Sequence, residues 1–486
     1  MDKNELINLT IMTDLYELTM MQGYYKYGKA DQKVVFDLFY RVNPFGGAFA
    51  IAAGLEQAVE YIKDLRFSES DIEYLRSLGI FEDDFLEYLK DFRFTGDIDA
   101  IPEGTVVYPM EPLMRISASI MEAQLIEPAL LTMINHQTLI ATKAARVVHS
   151  AKGDAVMEFG LRRAQGPQAG TLGARAAVIG GCIGTSNVLT AKMFGAAPKG
   201  THSHSWVMSF DSQIEAFRAY AKLFPDMCIL LVDTYDTLRS GVPDAIQVFK
   251  EMREAGIHSK LYGIRLDSGD LAYLSIEARK MLDEAGFTDA IISASSDLDE
   301  FVIRDLKNQG AQISLWGVGT RLITADGNPS LGGVYKLAAE EDENGNMIPK
   351  IKLSNNLEKI TNPGVKQVLR IYDKETGYLR GDLITLDDEE FDEAHELTIF
   401  HPINTWKHMT FVGGSYTLRK LLVPVFRGGK CVYTCPTLAE IREICAKEQE
   451  TLYPETRRTM NPQEVPVDLS VKLWTLKNEM LHQYGK

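Results

Sequence analysis

The segment GTHSHSW at residues 200–206 holds two of the nine histidines in the chain, His202 and His204. In an extended backbone, residues two apart point to the same side, so the spacing predicts two imidazoles on one face. Such a pair could bind a metal, act as a base, serve as a covalent nucleophile or form a structural polar pair. Because no third histidine or cysteine lies nearby, a zinc site is disfavoured.

Four aspartates follow two apolar runs of the chain. Asp233 and Asp236 come after CILLV, and Asp267 and Asp270 come after YGIRL. Carboxylates grouped in this way suit a hard divalent cation such as Mg2+, bound directly or through water. The alternative is that each aspartate only caps the helix that follows it.

The segment GVGTRL at residues 317–322 follows another apolar run. Gly317 and Gly319 would let backbone N–H groups approach an anion, and Arg321 would add positive charge. The alternative is an ordinary tight turn.

The segment EFGLRR at residues 158–163 places Phe159 three residues before Arg162 and four residues before Arg163. An aromatic face beside a guanidinium suits a flat anionic ring. The alternative is a core phenylalanine next to a surface arginine.

These segments lie at the ends of repeated strand–helix units. The apolar runs in VMEFGLRR, CILLVDTYDT, KLYGIRLDSGD, AIISASSDLD and ISLWGVGTRL alternate with amphipathic helical stretches. The spacing from Asp233 to Asp267 is 34 residues, the length of one βα unit. The pattern predicts a parallel sheet in an irregular (β/α) barrel, with the site at the carboxyl ends of its strands. The residues expected on that rim are Glu158, Arg162, Asp233, Asp236, Arg265, Asp267, Asp270, Ser295, Gly317 and Gly319.

The chain as a whole is predicted to be α/β, with three parts. Residues 1–145 mix helices and strands in an α+β domain, and residues 146–335 form the barrel-like domain. Residues 336–486 return to pack on the N-terminal domain.

The bulk composition limits the classes of partner. A net charge of −16 and a pI near 5.2 argue against binding nucleic acid or an anionic membrane surface. Five scattered cysteines do not form a disulfide framework, and the odd number suits a reducing compartment. The N-terminal residues lack a signal-peptide pattern, and the longest apolar stretches are too short to span a membrane. The protein is therefore expected to be soluble and cytoplasmic.

Taken in order, the motifs resemble those of nicotinate phosphoribosyltransferase. They run from TDLYELTM at 13–20 through FYRVNPFGG, EFGLRRAQG, GGCIGTSNV, GTHSHSW, DTYDT, RLDSGD and WGVGTRL to NPQEVPVDLS. The resemblance implies transfer of a phosphoribosyl group from phosphoribosyl pyrophosphate to nicotinate, giving nicotinate mononucleotide and pyrophosphate in the salvage route to NAD. It also implies Mg2+, coupling to ATP hydrolysis through a phosphohistidine, and a homodimer with active sites at its interface.

The resemblance assigns roles to the residues of the expected rim only by their position in these motifs. His204, in the GTxxH pattern, becomes the phosphorylated histidine, with His202 in a supporting role. Asp233 and Asp267 lie near the ribose and pyrophosphate and hold Mg2+ directly or through water, and Arg265 lies near the base and phosphate. The substrate-binding set implied in this way is Tyr16, Phe159, Arg162, Ser186, Thr201, Gly317, Gly319 and Thr320, in which Phe159 and a Tyr16 from the partner chain sandwich the pyridine ring.

Three other functions remain open. The first is a nicotinamide phosphoribosyltransferase, and these enzymes carry an aspartate where this chain has Ser186. Because a serine hydroxyl can donate to the carboxylate of nicotinate, Ser186 favours nicotinate as the substrate. A non-catalytic binding homologue would be expected to lack His204, Asp267 or Arg265, which are all present. A barrel aldolase would need a lysine at a strand end, whereas Lys143 and Lys192 are predicted on helices.

Overall fold

The computed structural model describes residues 8–404 and 406–484. The chain divides into two compact units. The terminal unit combines Met1–Leu139, Ser330–Pro436 and Glu443–Lys486, and the central unit combines Ile140–Pro329 with Thr437–Arg442. Within the described ranges, no helix is both long and apolar enough to cross a membrane.

From residue 8 onward, the N-terminal part contains six α-helices and five strands. Helix packing follows amphipathic spacing, as in the second helix, where Leu55, Val59 and Ile62 recur on one face and are buried. The elements are α1 (Leu15–Lys26), β1 (Lys33–Tyr40), β2 (Ala50–Ile51), α2 (Leu55–Lys63), α3 (Glu69–Ser77), α4 (Asp83–Lys90), β3 (Asp97–Ala100), β4 (Val106–Val107), β5 (Met114–Ser119), α5 (Ile120–Leu125) and α6 (Glu127–Ser150).

The central part alternates strands with helices, as the apolar runs predict. Its elements are β6 (Ala155–Glu158), α7 (Pro167–Ile179), α8 (Val188–Phe194), α9 (His204–Met208), α10 (Gln213–Leu223), β7 (Cys228–Leu231), α11 (Val242–Glu254), β8 (Tyr262–Leu266), α12 (Leu271–Glu284), β9 (Ile291–Ser296), α13 (Glu300–Asn308), β10 (Leu315–Val318) and α14 (Thr320–Ile323).

The five strands of the central unit form one parallel sheet in the order β6-β10-β9-β8-β7. All residues of β7 and β10 are buried, as expected for parallel strands covered on both faces. The prediction of an α/β protein with a parallel sheet is confirmed. Since the strands are parallel, their carboxyl ends meet at one edge of the sheet.

The sheet is strongly curved. Met157 of β6 and Ile229 of β7, on the two outermost strands, belong to the same apolar cluster as Leu315 of β10. Beyond β6, single parallel bridges join Glu158 to Thr185 and Thr185 to Pro198. In the described residues no strand pairing links this edge to β7, so a closed barrel is not confirmed.

The C-terminal part is mostly β-structure. Its elements are β11 (Gly333–Glu341), β12 (Met347–Pro349), β13 (Lys366–Asp373), β14 (Leu379–Leu386), β15 (Leu397–Phe400), β16 (His408–Phe411), β17 (Tyr416–Lys420), β18 (Val423–Arg427), β19 (Lys430–Cys431), α15 (Leu438–Glu450), β20 (Val467–Leu469) and α16 (Val471–Tyr484).

Returning strands complete the sheets of the terminal unit. A seven-stranded sheet has the order β12-β11-β1-β5-β3-β18-β19. In it, β1 lies between β5 of the N-terminal part and β11 of the C-terminal part. A six-stranded sheet, in the order β16-β15-β20-β14-β13-β17, is built wholly from the C-terminal part. The N-terminal and C-terminal parts of the chain therefore share one hydrogen-bonded sheet.

Candidate active site

Asp233 and Asp267 meet where two adjacent strands end. Asp233 follows β7 and Asp267 follows β8, its partner in the sheet. Asp233 Oδ2 accepts hydrogen bonds from the backbone N–H of Asp267 (2.8 Å) and from the Ser268 hydroxyl (2.7 Å). Asp233 Oδ1 is buried and has no hydrogen-bond partner in the described part of the chain. One carboxylate oxygen thus fixes the loop while the other is left without a partner among the described residues.

The other two aspartates cap helical turns. Asp236 accepts from the Arg239 N–H (2.9 Å) at the start of the π-helical turn Thr237–Gly241. Asp270 accepts from the Tyr273 N–H (3.0 Å) at the start of α12. The capping alternative therefore describes Asp236 and Asp270, and only one aspartate of each loop belongs to the Asp233–Asp267 pair.

Arg265 and Ser295 support the Asp267 carboxylate. Arg265 lies on β8 and donates from Nε to the Ser295 hydroxyl (3.0 Å). The Ser295 hydroxyl in turn donates to Asp267 Oδ1. Arg265 Nη2 lies 3.5 Å from the same oxygen. A guanidinium and a hydroxyl thus fix one carboxylate oxygen, while the Asp267 side chain keeps about a third of its surface exposed.

His204 faces this carboxylate from the first residue of α9. Its Nδ1 lies 3.1 Å from the Thr234 hydroxyl, and its Nε2 lies 3.6 Å from Asp267 Oδ2. The imidazole is 39% exposed, so a substrate can reach it. A carboxylate therefore lies beside His204 and faces Nε2, while a threonine hydroxyl faces Nδ1.

The two histidines of GTHSHSW do not form a same-sided pair. The expectation of an extended segment is wrong, because α9 begins at His204. His202 is buried, and its Nε2 accepts a hydrogen bond from the Leu231 N–H (3.2 Å). Each ring therefore contacts its own set of neighbours.

Thr201 also belongs to this cluster. Its hydroxyl accepts a hydrogen bond from Arg265 Nη1, which donates as well to the His202 carbonyl (3.3 Å). The segment before α9 is thus tied directly to β8.

Phe159 lies over a glycine of the neighbouring strand. Its backbone N–H donates to the Val318 carbonyl (2.8 Å). A Cβ atom on Gly317 would come within 2.6 Å of the Phe159 ring, so the absence of a side chain at 317 makes room for this ring. The ring is half-buried and also packs against the apolar interior of the sheet.

The loop after β10 contains Gly319 and Thr320, which begins the four-residue helix α14. Arg321 was expected to add charge for an anion, but its Nη1 pairs with Asp299 Oδ2 at 2.5 Å. This guanidinium is largely neutralised. The loop can therefore offer an anion its glycine backbone, and the free positive charge must come from elsewhere.

Arg162 and Arg163 supply free positive charge beside Phe159. Both lie on the exposed 3-10 turn Leu161–Arg163. In the part of the chain that the structure describes, neither side chain has a hydrogen-bond or ion-pair partner. They suit the recognition of an anionic ligand.

Glu158 holds the segment that carries Ser186. It is fully buried, accepts from the Thr185 hydroxyl (2.5 Å) and from the Gly160 N–H, and its backbone carbonyl accepts from the Ser186 N–H (3.0 Å). Burial raises the pKa of the Glu158 carboxyl. Ser186 itself is half-buried beside the end of β6.

Tyr16 lies on α1 in the terminal unit. The residue is 50% exposed. Desolvation, the hydrogen bond to Glu17 and the nearby charge of Glu127 raise the pKa of its hydroxyl.

The structure brings several hydroxyls to the centre of the site; Ser295 is among the residues expected on the rim, although with no role, and Thr234 is not among them. Ser295 ends an apolar strand opposite Gly317, and Thr234 directly follows Asp233. A hydroxyl in the residues that end a buried parallel strand is the signal that could have identified them.

The donor set suits Mg2+ better than a transition metal. Across residues 8–404 and 406–484, no three histidine, cysteine, aspartate or glutamate side chains are grouped as a complete metal site. Asp233 and Asp267 offer two carboxylates, and one buried oxygen of Asp233 has no partner. Mg2+ is commonly held by one or two carboxylates together with water and substrate phosphates, and these residues fit that pattern.

Comparison with known proteins assigns the family. Three family models match the chain: the nicotinate phosphoribosyltransferase N-terminal domain at residues 11–135, the nicotinate phosphoribosyltransferase family at 155–330, and the C-terminal domain at 365–477. Nicotinate phosphoribosyltransferase of Bacillus subtilis is 46% identical over 476 residues, covering 98% of this chain and 96% of that protein.

A solved structure agrees over the same length. The crystal structure of human nicotinic acid phosphoribosyltransferase superimposes with a TM-score of 0.84 at 30% identity, covering 96% of this chain and 99% of the human one. The matched models and the full-length relatives lead to one assignment. This chain belongs to the nicotinate phosphoribosyltransferase family.

Proposed function

We propose that this enzyme transfers the phosphoribosyl group of phosphoribosyl pyrophosphate to the ring nitrogen of nicotinate, releasing nicotinate mononucleotide and pyrophosphate for NAD salvage. The observation that carries the proposal is the Asp233–Asp267 pair at the ends of β7 and β8. Arg265 Nη2 lies 3.5 Å and His204 Nε2 lies 3.6 Å from the carboxylate of Asp267. Membership in the family supports the choice of substrates.

The acidic pair suits the charge that develops in this reaction. The bond from ribose C1 to the pyrophosphate oxygen breaks with its electrons leaving on pyrophosphate, and the nicotinate nitrogen forms the new bond to C1. Positive charge builds on the ribose between these events, and a carboxylate held near C1 stabilises it. Asp233 and Asp267 are the carboxylates proposed for this role, with Arg265 orienting Asp267 and facing the departing phosphates.

We propose Mg2+ as the cofactor, held by Asp233 and Asp267 directly or through water. When bound, it would neutralise the pyrophosphate charge as that group leaves. The unpartnered Oδ1 of Asp233 supports this assignment.

ATP is proposed as a co-substrate that phosphorylates His204. Thr234 engages Nδ1, which leaves Nε2 as the nitrogen for the phosphoryl group. The N–P bond forms as the bond to ADP breaks, and hydrolysis of phosphohistidine returns His204 and phosphate. The exposed imidazole and its neighbouring carboxylate support this role.

The substrate pocket is proposed to form around the end of β6. Phe159 would stack on the pyridine ring, Arg162 and Ser186 would bind its carboxylate, and Thr201 would orient Arg265. Gly317, Gly319 and Thr320 would hold the 5′-phosphate.

The assembly proposed is a homodimer with active sites at its interface. Tyr16 of the partner subunit would cover the second face of the pyridine ring, which its exposed position on α1 permits. A cytoplasmic location is also proposed, supported by five free thiols, which suit a reducing compartment.

The deciding experiment compares nicotinate with nicotinamide, each with phosphoribosyl pyrophosphate and Mg2+, with and without ATP. Preference for nicotinate with stimulation by ATP supports the proposal. Equal use of nicotinamide would contradict the role given to Ser186. Turnover of neither substrate would favour a binding homologue.

Ser186→Asp should lower kcat/KM for nicotinate at least about tenfold relative to nicotinamide, because an added carboxylate repels the substrate carboxylate and can accept from an amide. Steady-state kinetics with both substrates measure the ratio. Ser186→Ala is the matched control, since it removes the hydroxyl without adding charge and should weaken nicotinate binding without reversing the preference. A Ser186→Asp variant with an unchanged ratio would place the ring carboxylate elsewhere.

Gly317→Ala should lower kcat/KM for nicotinate by more than about tenfold, because the new methyl group displaces the Phe159 ring. Gly200→Ala serves as the control, since a Cβ there meets nothing within 4 Å. Nicotinate kinetics of both variants test the pocket. Normal kinetics in Gly317→Ala would remove Phe159 from the proposed stacking position.

A further inference from the structure

His202 has a fixed and buried environment. Only 7% of the residue is exposed. Its ring lies edge-on to Tyr220, with centroids 4.7 Å apart, and 6.0 Å from the Phe217 ring. Its Nε2 accepts a hydrogen bond from the Leu231 N–H at 3.2 Å.

The Leu231 N–H needs this partner because β7 is an edge strand. Val232 donates its N–H toward β8, to the Arg265 carbonyl. Neighbouring residues of a strand direct their N–H groups to opposite sides, so Leu231 points away from the sheet. The His202 ring supplies the acceptor that an adjacent strand would otherwise provide.

This hydrogen bond also fixes the form of the ring. A nitrogen that accepts from a backbone N–H carries no proton, so the hydrogen lies on Nδ1, which is 3.4 Å from the Ser203 carbonyl. The ring is therefore neutral. In agreement, burial lowers the pKa of His202 to about 4.

The backbone around His202 contacts the residues that do the proposed chemistry. The His202 carbonyl and the Thr201 hydroxyl both accept from Arg265 Nη1. Two residues later, His204 begins α9 beside Asp267. A shift of the His202 ring would move the acceptors of Arg265 and the start of α9 together.

We propose that His202 is a positioning residue whose Nε2, by accepting the Leu231 N–H, fixes residues 201–204 so that Arg265 and His204 are both held against Asp267. The inference rests on the proposed function for its kinetic consequences. The competing explanation is that the ring only fills the space beside Tyr220 and Phe217.

Substitutions that keep either the hydrogen-bond acceptor or the ring volume of His202 decide between the positioning role and the space-filling explanation. His202→Gln can place an amide oxygen near the position of Nε2, whereas His202→Phe keeps the ring and has no acceptor. His202→Met matches glutamine in length, lacks its amide oxygen, and replaces the phenylalanine variant if that one does not fold. Each variant is assayed well below its thermal unfolding midpoint.

The expected result is that His202→Gln keeps kcat/KM for nicotinate within about threefold of the wild type, while His202→Phe or His202→Met loses about 10- to 100-fold. Labelling of His204 by ATP should slow in the same order. Near-normal kinetics in His202→Phe with a loss in His202→Gln, or equal losses in all variants, would overturn the proposal.

Amide hydrogen exchange provides a readout that does not depend on activity. Leu231 should exchange faster in His202→Phe and His202→Met than in the wild type and His202→Gln. An inactive wild-type enzyme would count against the proposed function, whereas unchanged Leu231 exchange in the phenylalanine and methionine variants would count against the role of His202.

Discussion

Asp267→Asn should lower kcat for nicotinate mononucleotide formation by about 100- to 1000-fold, the loss seen when a preorganised electrostatic group is removed from an active site. The substitution keeps the shape of the side chain and removes its charge. Asp267 Oδ1 is held by Ser295 and lies near Arg265, while Oδ2 faces His204. The variant should therefore fold normally and fail in the chemical step.

The same loop supplies a matched control. Asp270 caps α12 through the Tyr273 N–H, and asparagine caps a helix about as well as aspartate. Asp270→Asn should stay within about twofold of wild-type activity. The pair Asp233→Asn and Asp236→Asn repeats the comparison on the loop after β7, where Asp236 is the capping residue.

The measurement is steady-state kinetics of all four variants over a series of Mg2+ concentrations, with thermal unfolding as a check on the fold. The Asp233 and Asp267 variants should need more Mg2+ for half-maximal activity. If Asp270→Asn loses as much activity as Asp267→Asn, the assignment of roles within this loop is wrong.

The strands of the central sheet could be predicted because buried parallel strands leave a clear pattern. Each of the five apolar runs between Ala155 and Val318 became one strand, since strands covered on both faces need continuous apolar sequence. Their order could not be predicted. The last strand, β10, pairs between β6 and β9, which depends on the packing of the whole unit.

The acidic pair was predictable in part. Asp233 and Asp267 come together because β7 and β8 are adjacent and parallel. Asp236 and Asp270 have the same spacing after their strands, yet they cap helical turns. Aspartate is favoured both as a cap and as a cation ligand, so composition alone does not separate the two uses.

The orientation of the histidine pair was not predictable from its spacing. GTHSHSW contains no apolar periodicity, so nothing local marks His204 as the first residue of a helix. What separates the rings is tertiary structure, because His202 contacts a strand edge that lies 29 positions later in the chain. Arg321 was misjudged for the same reason, since its partner Asp299 comes from a different loop.

His204→Ala should abolish both the stimulation by ATP and the phosphate label taken from [γ-32P]ATP, while leaving transfer without ATP measurable. The variant removes the only imidazole that lies within 4 Å of Asp267 in the described residues, so no other histidine can accept the phosphoryl group there. The Asp233–Asp267 pair and Arg265 remain in place, and these carry the proposed transfer of the phosphoribosyl group.

His258→Ala is the matched control, because this exposed histidine lies in the same unit on the loop between α11 and β8. It should keep the wild-type label and the wild-type response to ATP. The label is identified as phosphohistidine by its loss in acid and survival in base. A label that persists in His204→Ala would place the phosphate on another residue, whereas a lost label with full ATP stimulation would mean that ATP acts without a phosphoenzyme, by binding alone.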